Sequence, residues 1–242
     1  KNLKYFAGMS DNEVLDFLKS DITWHKPTQG FSSSDNFFKV LWNNTLKEGF
    51  DFLAKIEPGF KKVLEEKNYE INPFSKKDGF EGLISLIVEQ QLSVASAQAI
   101  FGRMKILVKP FEPENFLSVN PKKFKEAGLS KQKIDYCSGI AKKIVDNELD
   151  LKALKKKEDS QVIKELIEIR GIGEWTAQCY LMACLKRLDA WPYSDLGLIV
   201  AAQRMKGLKE RPDYLTMEKI SEPWSPFRSL AALILWSTYD KE

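Results

Sequence analysis

The sequence contains few of the residues that build metal centres or the disulfide frameworks of small secreted proteins. It has three cysteines, Cys137, Cys179 and Cys184, and a single histidine, His25. No two cysteines stand in a Cys-x-x-Cys spacing, so we expect neither a zinc site nor a four-cysteine iron–sulfur cluster. Cysteines that stay reduced fit a cytoplasmic protein, which is the localisation we expect.

Long apolar runs and a strong net charge are also missing. Hydrophobic residues make up 43% of the chain, charged residues make up 29%, and the formal net charge is +3. These values are typical of a soluble globular protein, and we recognise neither a signal peptide nor a membrane-spanning segment. Because the overall charge is small, a nucleic-acid partner would have to be held by a local basic face.

Apolar residues recur at helical spacing along most of the chain, and strand patterns are scarce. We therefore predict an all-α protein, with two helices over residues 36–66 and further helices over 79–88, 93–108 and 131–147. Residues 110–121 are interpreted as a connector, and Ser130 as the N-cap of the helix that follows. We expect residues 1–48 to form an N-terminal segment that packs on a main domain of residues 49–242.

The segment of residues 166–198 is the most informative part of the sequence. At its centre, Arg170-Gly171-Ile172-Gly173 forms a short turn between two helical patterns, and we expect Ser160 to cap the first of them. The second pattern, over residues 174–186, contains neither proline nor glycine. A Gly-x-Gly turn at a helix N-terminus exposes N–H groups that suit a phosphate, although such turns also join ordinary helices.

Several motifs occur together in an order that is typical of one family. They are Leu166, Arg170-Gly171-Ile172-Gly173, Trp175-Thr176-Ala177, Pro192 and Asp195, with Glu89-Gln90-Gln91-Leu92-Ser93, Pro226-Phe227-Arg228-Ser229 and Trp236. This set resembles the helix–hairpin–helix, Gly/Pro…Asp superfamily of DNA base-excision glycosylases, in particular the 3-methyladenine DNA glycosylase II type. The resemblance implies an all-α helix–hairpin–helix glycosylase fold, with two helical subdomains and an active site in the cleft between them.

The resemblance also implies roles for individual residues. Asp195 stands at the position of the catalytic aspartate, with a helix N-cap as its structural alternative. The implied base pocket contains Trp175, Trp236 and Cys179, where some relatives carry a tyrosine in place of the cysteine. DNA contacts are implied for Arg170, Gly171, Ile172, Gly173, Thr176, Gln90, Gln91 and Leu92. The backbone carbonyls of Ile167, Ile169 and Ile172 are implied to hold a sodium or potassium ion, and we expect no other cofactor.

The chemistry of the implied site favours a cationic leaving group. One carboxylate can stabilise the positive charge that develops on the sugar, whereas a neutral purine also needs an acid in order to leave. An N3- or N7-alkylated purine is already positively charged, so we predict release of 3-methyladenine and 7-methylguanine from duplex DNA. Trp175 replaces the Schiff-base lysine of bifunctional relatives, and Lys186 would lie about 16 Å along the same helix. We therefore expect a monofunctional enzyme. We also expect it to be a monomer.

Three other functions stay open at this point. The chain could be a glycosylase for neutral lesions such as hypoxanthine or ethenoadenine, since the leaving base is not encoded in any one motif. It could also be a helix–hairpin–helix module that binds DNA without catalysis, for which Asp195 and an aromatic pocket would have no use. A helical scaffolding protein is the third alternative, and it would have no affinity for DNA.

Overall fold

The computed structural model describes residues 33–71 and 73–239, and every regular element within these ranges is helical. The all-α prediction is therefore confirmed for the described residues. The first helix, α1, spans Ser33–Ile56, so the predicted boundary between residues 48 and 49 falls inside a continuous helix. Residues 1–32 of the predicted N-terminal segment lie outside the described residues, and that division of the chain stays a prediction.

The remaining helices follow in close succession along the chain. They are α2 (Pro58–Glu66), α3 (Phe80–Glu89), α4 (Val94–Leu107), α5 (Pro113–Ser118), α6 (Pro121–Glu126), α7 (Lys131–Val145), α8 (Leu151–Leu154), α9 (Asp159–Ile167), α10 (Glu174–Ala183), α11 (Leu196–Lys206), α12 (Tyr214–Ser221), a single 3₁₀ turn (Glu222–Trp224) and α13 (Arg228–Tyr239).

Side-chain caps explain where several helices begin. The hydroxyl of Ser93 accepts from the backbone N–H of Ser96 at the start of α4, and the hydroxyl of Ser130 accepts from that of Lys133 at the start of α7. The Ser130 cap confirms the prediction. The predicted cap at Ser160 is wrong, because α9 begins after Glu158, whose N–H donates to Oε1 of Gln161 at 3.2 Å. In return, the Glu158 side chain accepts from the backbone N–H of Gln161. This reciprocal arrangement satisfies the first N–H groups of the helix, which have no partner inside it.

Two further differences concern where helices begin and end. The predicted connector 110–121 contains the helix α5, and α6 begins at its end, each with proline in the first turn. Proline suits this position because its nitrogen has no hydrogen to leave unpaired. Phe116 and Phe124 stack with ring centroids 4.4 Å apart and anchor both short helices in the core. The helix α10 ends at Ala183, before the predicted end at Lys186.

The helices pack into two groups that place the predicted site residues. In one group, α13 lies along α11 and contacts α1 and α2; in the other, α3 packs against α4, α7 and α10, and α9 packs against α10. The loop that leads from α10 into α11 connects the two groups along the chain. The predicted cleft between two subdomains stays a prediction. Within the described ranges, no helix is both long and apolar enough to cross a membrane.

Candidate active site

The turn between α9 and α10 is a compact hairpin. The backbone N–H of Ile172 donates to the carbonyl of Ile169 at 3.0 Å, and Gly171 adopts a φ of 96°. A Cβ on Gly171 would come within 2.3 Å of a ring carbon of Tyr136, so glycine is required here on two grounds. Gly173 has an ordinary φ of −97°, and no atom lies within 4 Å of the position that its Cβ would take. The start of α10 is therefore open to an approaching group.

The Asp195 carboxylate accepts hydrogen bonds from three directions. Its Oδ1 accepts from the backbone N–H of Leu198 at 2.9 Å, which confirms the N-cap of α11, and from Nε1 of Trp236 at 2.8 Å. Its Oδ2 accepts from Nε1 of Trp175 at 2.9 Å. A carboxylate offers about four acceptor positions, so Oδ2 keeps one for a further partner. The N-cap and the predicted catalytic position coincide in one side chain.

The loop before Asp195 is fixed to the helices on both sides. On the α10 side, the backbone N–H of Trp191 donates to Oε1 of Gln178 at 3.0 Å, and the hydroxyl of Tyr193 donates to the carboxylate of Glu174. On the α13 side, Arg228 forms a bidentate ion pair with Asp189 at 2.8 and 2.9 Å. Bidentate arginine–carboxylate pairs fix relative geometry more tightly than single contacts. These contacts hold Asp195 between the two tryptophans.

The turn after α3 is attached to the hairpin. Nε2 of Gln90 donates to the carbonyl of Gly171 at 3.0 Å and to Oγ1 of Thr176 at 2.9 Å. Thr176 is itself buried, with 1% of its surface exposed. Gln90 and Thr176 therefore bond to each other within the protein, and the DNA contacts implied for them stay predictions. Gln91, with φ of 56°, and Leu92 are the exposed side chains of this turn.

Lys133 on α7 holds the same turn from its other side. Its Nζ donates to the carbonyls of Val88 and Gln90 at 2.7 and 2.6 Å, and partial burial lowers the pKa of this lysine. A polar groove of about 390 Å³ lies between the turn, the hairpin and α7. It is lined by Gln90, Gln91, Ser130, Gln132, Lys133, Tyr136, Gly171, Ile172 and Gly173. Arg170 lies beside it, with its guanidinium 5.9 Å from the centre of the Tyr136 ring.

Cys179 lies beneath the site and has no exposed surface. Burial raises the pKa of this thiol well above its usual value, and the negative charges of Asp195 and Glu89 raise it further. The thiol therefore stays protonated and close to both carboxylates. Cys179 is fully buried rather than exposed at a surface, and its implied place in the base pocket stays a prediction.

The arrangement of a glycine hairpin followed by an aspartate that opens a helix corresponds to a known family. Residues 84–226 match the model of the HhH-GPD superfamily base excision DNA repair proteins. The chain therefore belongs to the HhH-GPD superfamily. The match begins within α3, includes the turn after it, the hairpin, Trp175 and Asp195, and ends just before α13.

Curated relatives of this HhH-GPD chain carry names from alkylation repair. A DNA-3-methyladenine glycosylase of Bacillus subtilis is 29% identical over 198 residues, which cover 76% of this chain and 64% of the relative. DNA-3-methyladenine glycosylase 1 of Schizosaccharomyces pombe is 30% identical over 192 residues, covering 77% and 84% respectively. The chain thus spans less than two thirds of the length of the Bacillus protein and most of the length of the yeast protein.

Solved structures agree with this assignment. The Schizosaccharomyces pombe 3-methyladenine DNA glycosylase Mag1, in complex with abasic DNA, superposes with a TM-score of 0.73 at 28% identity, covering 78% of this chain and 95% of that one. A DNA-3-methyladenine glycosidase from Bacillus halodurans superposes with a TM-score of 0.62 at 31% identity, covering 76% and 90%. The helix–hairpin–helix glycosylase fold predicted from the motifs is therefore confirmed.

The structure of this superfamily member adds residues that the motifs did not reveal. The ring of Phe74, which lies before α3 and outside every motif, meets Trp236 edge-on at 5.3 Å between centroids. A Cβ on Gly197 would lie 3.1 Å from Oδ1 of Asp195 and 3.4 Å from the Trp236 ring, so a larger residue would press on both. A glycine in the first turn of α11 is the one sequence signal that could have indicated this close contact. Lys76 and Glu89 form an ion pair nearby.

Proposed function

We propose that this chain is a monofunctional DNA glycosylase that excises alkylated purines of the 3-methyladenine and 7-methylguanine type from duplex DNA. The observation that carries the proposal is the Asp195 carboxylate held between the indole N–H groups of Trp175 and Trp236. Membership of a base-excision repair superfamily supports it, as do relatives named as DNA-3-methyladenine glycosylases and a structural neighbour bound to abasic DNA.

Asp195 supplies the negative charge that this reaction needs. As the glycosidic bond breaks, positive charge develops on the deoxyribose, and a carboxylate that is already oriented stabilises it without reorganising. The open acceptor position on Oδ2 is suited to a water molecule that attacks the sugar. Since Trp175 and Trp236 fix both oxygens, the carboxylate has one orientation in which to act. A cationic base needs no proton in order to leave, so a single carboxylate is sufficient.

The hairpin and the start of α10 provide the proposed contact with the DNA backbone. Backbone N–H groups at a helix N-terminus attract a phosphate, and Gly173 leaves room for close approach. Arg170 is exposed beside the polar groove and adds positive charge. Gln91 and Leu92 are the exposed residues of the adjacent turn, which suits them to fill the space left by an extruded base.

No lysine replaces Trp175 as a Schiff-base nucleophile in this proposal. Lys186 lies beyond the opposite end of α10, where its Nζ donates to Oγ of Ser75 at 2.6 Å and to the carbonyl of Ala183. Burial lowers the pKa of Lys186 to about 8, but these contacts hold it away from Asp195. The base is therefore released by water alone, and the strand stays intact.

Three accompanying features belong to the proposal. Among the hairpin carbonyls of Ile167, Ile169 and Ile172, that of Ile169 already accepts one hydrogen bond, and its second lone pair can coordinate a sodium or potassium ion. A metal site built from histidine, cysteine or carboxylate clusters is absent among the described residues.

The three buried, reduced cysteines support a cytoplasmic enzyme, and we expect it to act as a monomer.

A panel of lesions tests this function directly. Single-turnover release from duplexes with 3-methyladenine, 7-methylguanine, hypoxanthine or ethenoadenine should be fastest for the two cationic bases, because only the neutral bases need an acid. The product strand should stay uncut until alkali is added to cleave the abasic site, and borohydride should trap no enzyme–DNA adduct. Release of hypoxanthine as fast as 3-methyladenine would instead support the neutral-lesion alternative. DNA binding without release of any base would identify a non-catalytic module.

A further inference from the structure

A half-buried ion pair lies beside the proposed base pocket and has no role in the chemistry described above. Lys76 precedes α3 and Glu89 is the last residue of α3. Their ammonium and carboxylate groups form an ion pair in which 15% of the Lys76 side chain and 26% of the Glu89 side chain are exposed. Burying two charges costs hydration free energy that their attraction only partly offsets, so such pairs are weak evidence for a stabilising role.

A series of contacts connects this pair to the catalytic aspartate. The Nζ of Lys76 lies 5.1 Å from the centre of the Phe74 ring. Phe74 in turn meets Trp236 edge-on at 5.3 Å, and Trp236 donates to Asp195 at 2.8 Å. The buried thiol of Cys179 is close enough to Asp195, Glu89 and Lys76 for all three charges to act on its pKa. The pair is thus linked to Asp195 through Phe74 and Trp236.

The net charge of the Lys76–Glu89 pair matters for a pocket that takes cationic bases. An ammonium alone would repel a positively charged purine and would also occupy the aromatic face of Phe74. Glu89 cancels that charge while it is paired. From this geometry we infer that Glu89 is a specificity-determining residue, which neutralises Lys76 so that the pocket accepts a cationic base. This inference rests on the proposed function.

Two substitutions should shift the preference in opposite directions. Glu89→Gln leaves an unpaired ammonium, so affinity for a cationic base should fall by about tenfold relative to a neutral base of the same shape. Lys76→Met leaves an unpaired carboxylate, and the relative affinity for the cationic base should rise. The double variant Lys76→Met/Glu89→Gln has neither charge and should return close to the original ratio. A purely structural pair would affect both bases alike.

The measurement compares duplexes that differ only in the charge of the lesion. One carries 7-methylguanine and the other 7-methyl-7-deazaguanine, which has the same shape but no positive charge. Dissociation constants are measured in an Asp195→Asn background so that neither base is released. Asp78→Asn is the matched control, since it breaks a similar half-buried pair with Lys155 (exposed fractions 32% and 16%) and leaves the Lys76–Glu89 pair in place.

The outcomes separate the inference from the proposed function. The expected result is a ratio of cationic to neutral affinity that falls in Glu89→Gln, rises in Lys76→Met, and is unchanged in Asp78→Asn. Ratios that move in the same direction in both single variants, or that do not move, would overturn the role of Glu89. If the unsubstituted protein releases no 7-methylguanine, the proposed function itself fails, independently of the ion pair.

Discussion

At the scale of single residues, Asp195 combines a structural role with the proposed catalytic one. The sequence motifs indicated both roles as alternatives. The structure shows the cap and is compatible with the proposed catalytic role, because Leu198 and Trp236 share Oδ1 while Oδ2 faces Trp175. The motifs also placed both tryptophans near the base, but as aromatic surfaces only. Their hydrogen bonds to Asp195 could not be predicted, since they depend on the orientation of α10 and α13 and not on either local sequence.

The indole N–H of Trp236 can be tested apart from its ring. In Trp236→Phe, an aromatic face stays while the donor to Oδ1 is lost, and hydrogen bonds to charged groups contribute about 1.5–3 kcal/mol. We expect single-turnover base release to slow by about ten- to a hundredfold, with DNA affinity nearly unchanged. Trp224→Phe, which removes an indole from the core, is the control for lost packing. Full activity in Trp236→Phe would show that Trp236 acts only through its aromatic surface and not through its hydrogen bond to Asp195.

At the scale of elements, the hairpin was the part of the site most readily predicted from sequence. Gly171 and Gly173 indicated the turn correctly, yet they differ in what they require. Gly171 needs its positive φ and the space beside Tyr136, whereas Gly173 has neither constraint. The hydrogen bond from Gln90 to the carbonyl of Gly171 joins residues that are far apart in sequence. No local pattern could therefore show that Gln90 bonds inside the protein while Gln91 and Leu92 stay exposed.

The two glycines should separate folding from DNA binding. Gly171→Ala forces a strained φ and a clash with Tyr136, so we expect it to lower the free energy of unfolding by about 1–3 kcal/mol. Gly173→Ala should cost less than about 1 kcal/mol but weaken binding to damaged and undamaged duplexes alike, because the added methyl group obstructs a phosphate. Thermal melts and dissociation constants at fixed salt measure both effects. Unchanged affinity in a folded Gly173→Ala protein would contradict the hairpin as the phosphate contact.

At the scale of the whole molecule, the site depends on elements that come from distant parts of the chain. Asp195 leads into α11, Trp175 opens α10, and Trp236 lies on the last helix, with Phe74 contributed by the segment before α3. Helical periodicity predicted most of these elements. It could not predict that Phe74 reaches Trp236, or that Lys76 pairs with Glu89, since both contacts arise only when the helices pack.

In the proposed mechanism the charge of Asp195 drives base release, and Asp195→Asn tests this role most directly. Asparagine keeps the size and an acceptor oxygen for the N-cap but has no charge. Asp213→Asn, which changes a comparable cap at the start of α12, is the matched control. We predict that single-turnover release of 7-methylguanine falls by about 10²–10³ in Asp195→Asn, with folding and DNA affinity retained, and stays unchanged in Asp213→Asn. Near-normal release by the folded Asp195→Asn protein would contradict the account and leave Asp195 as a helix cap.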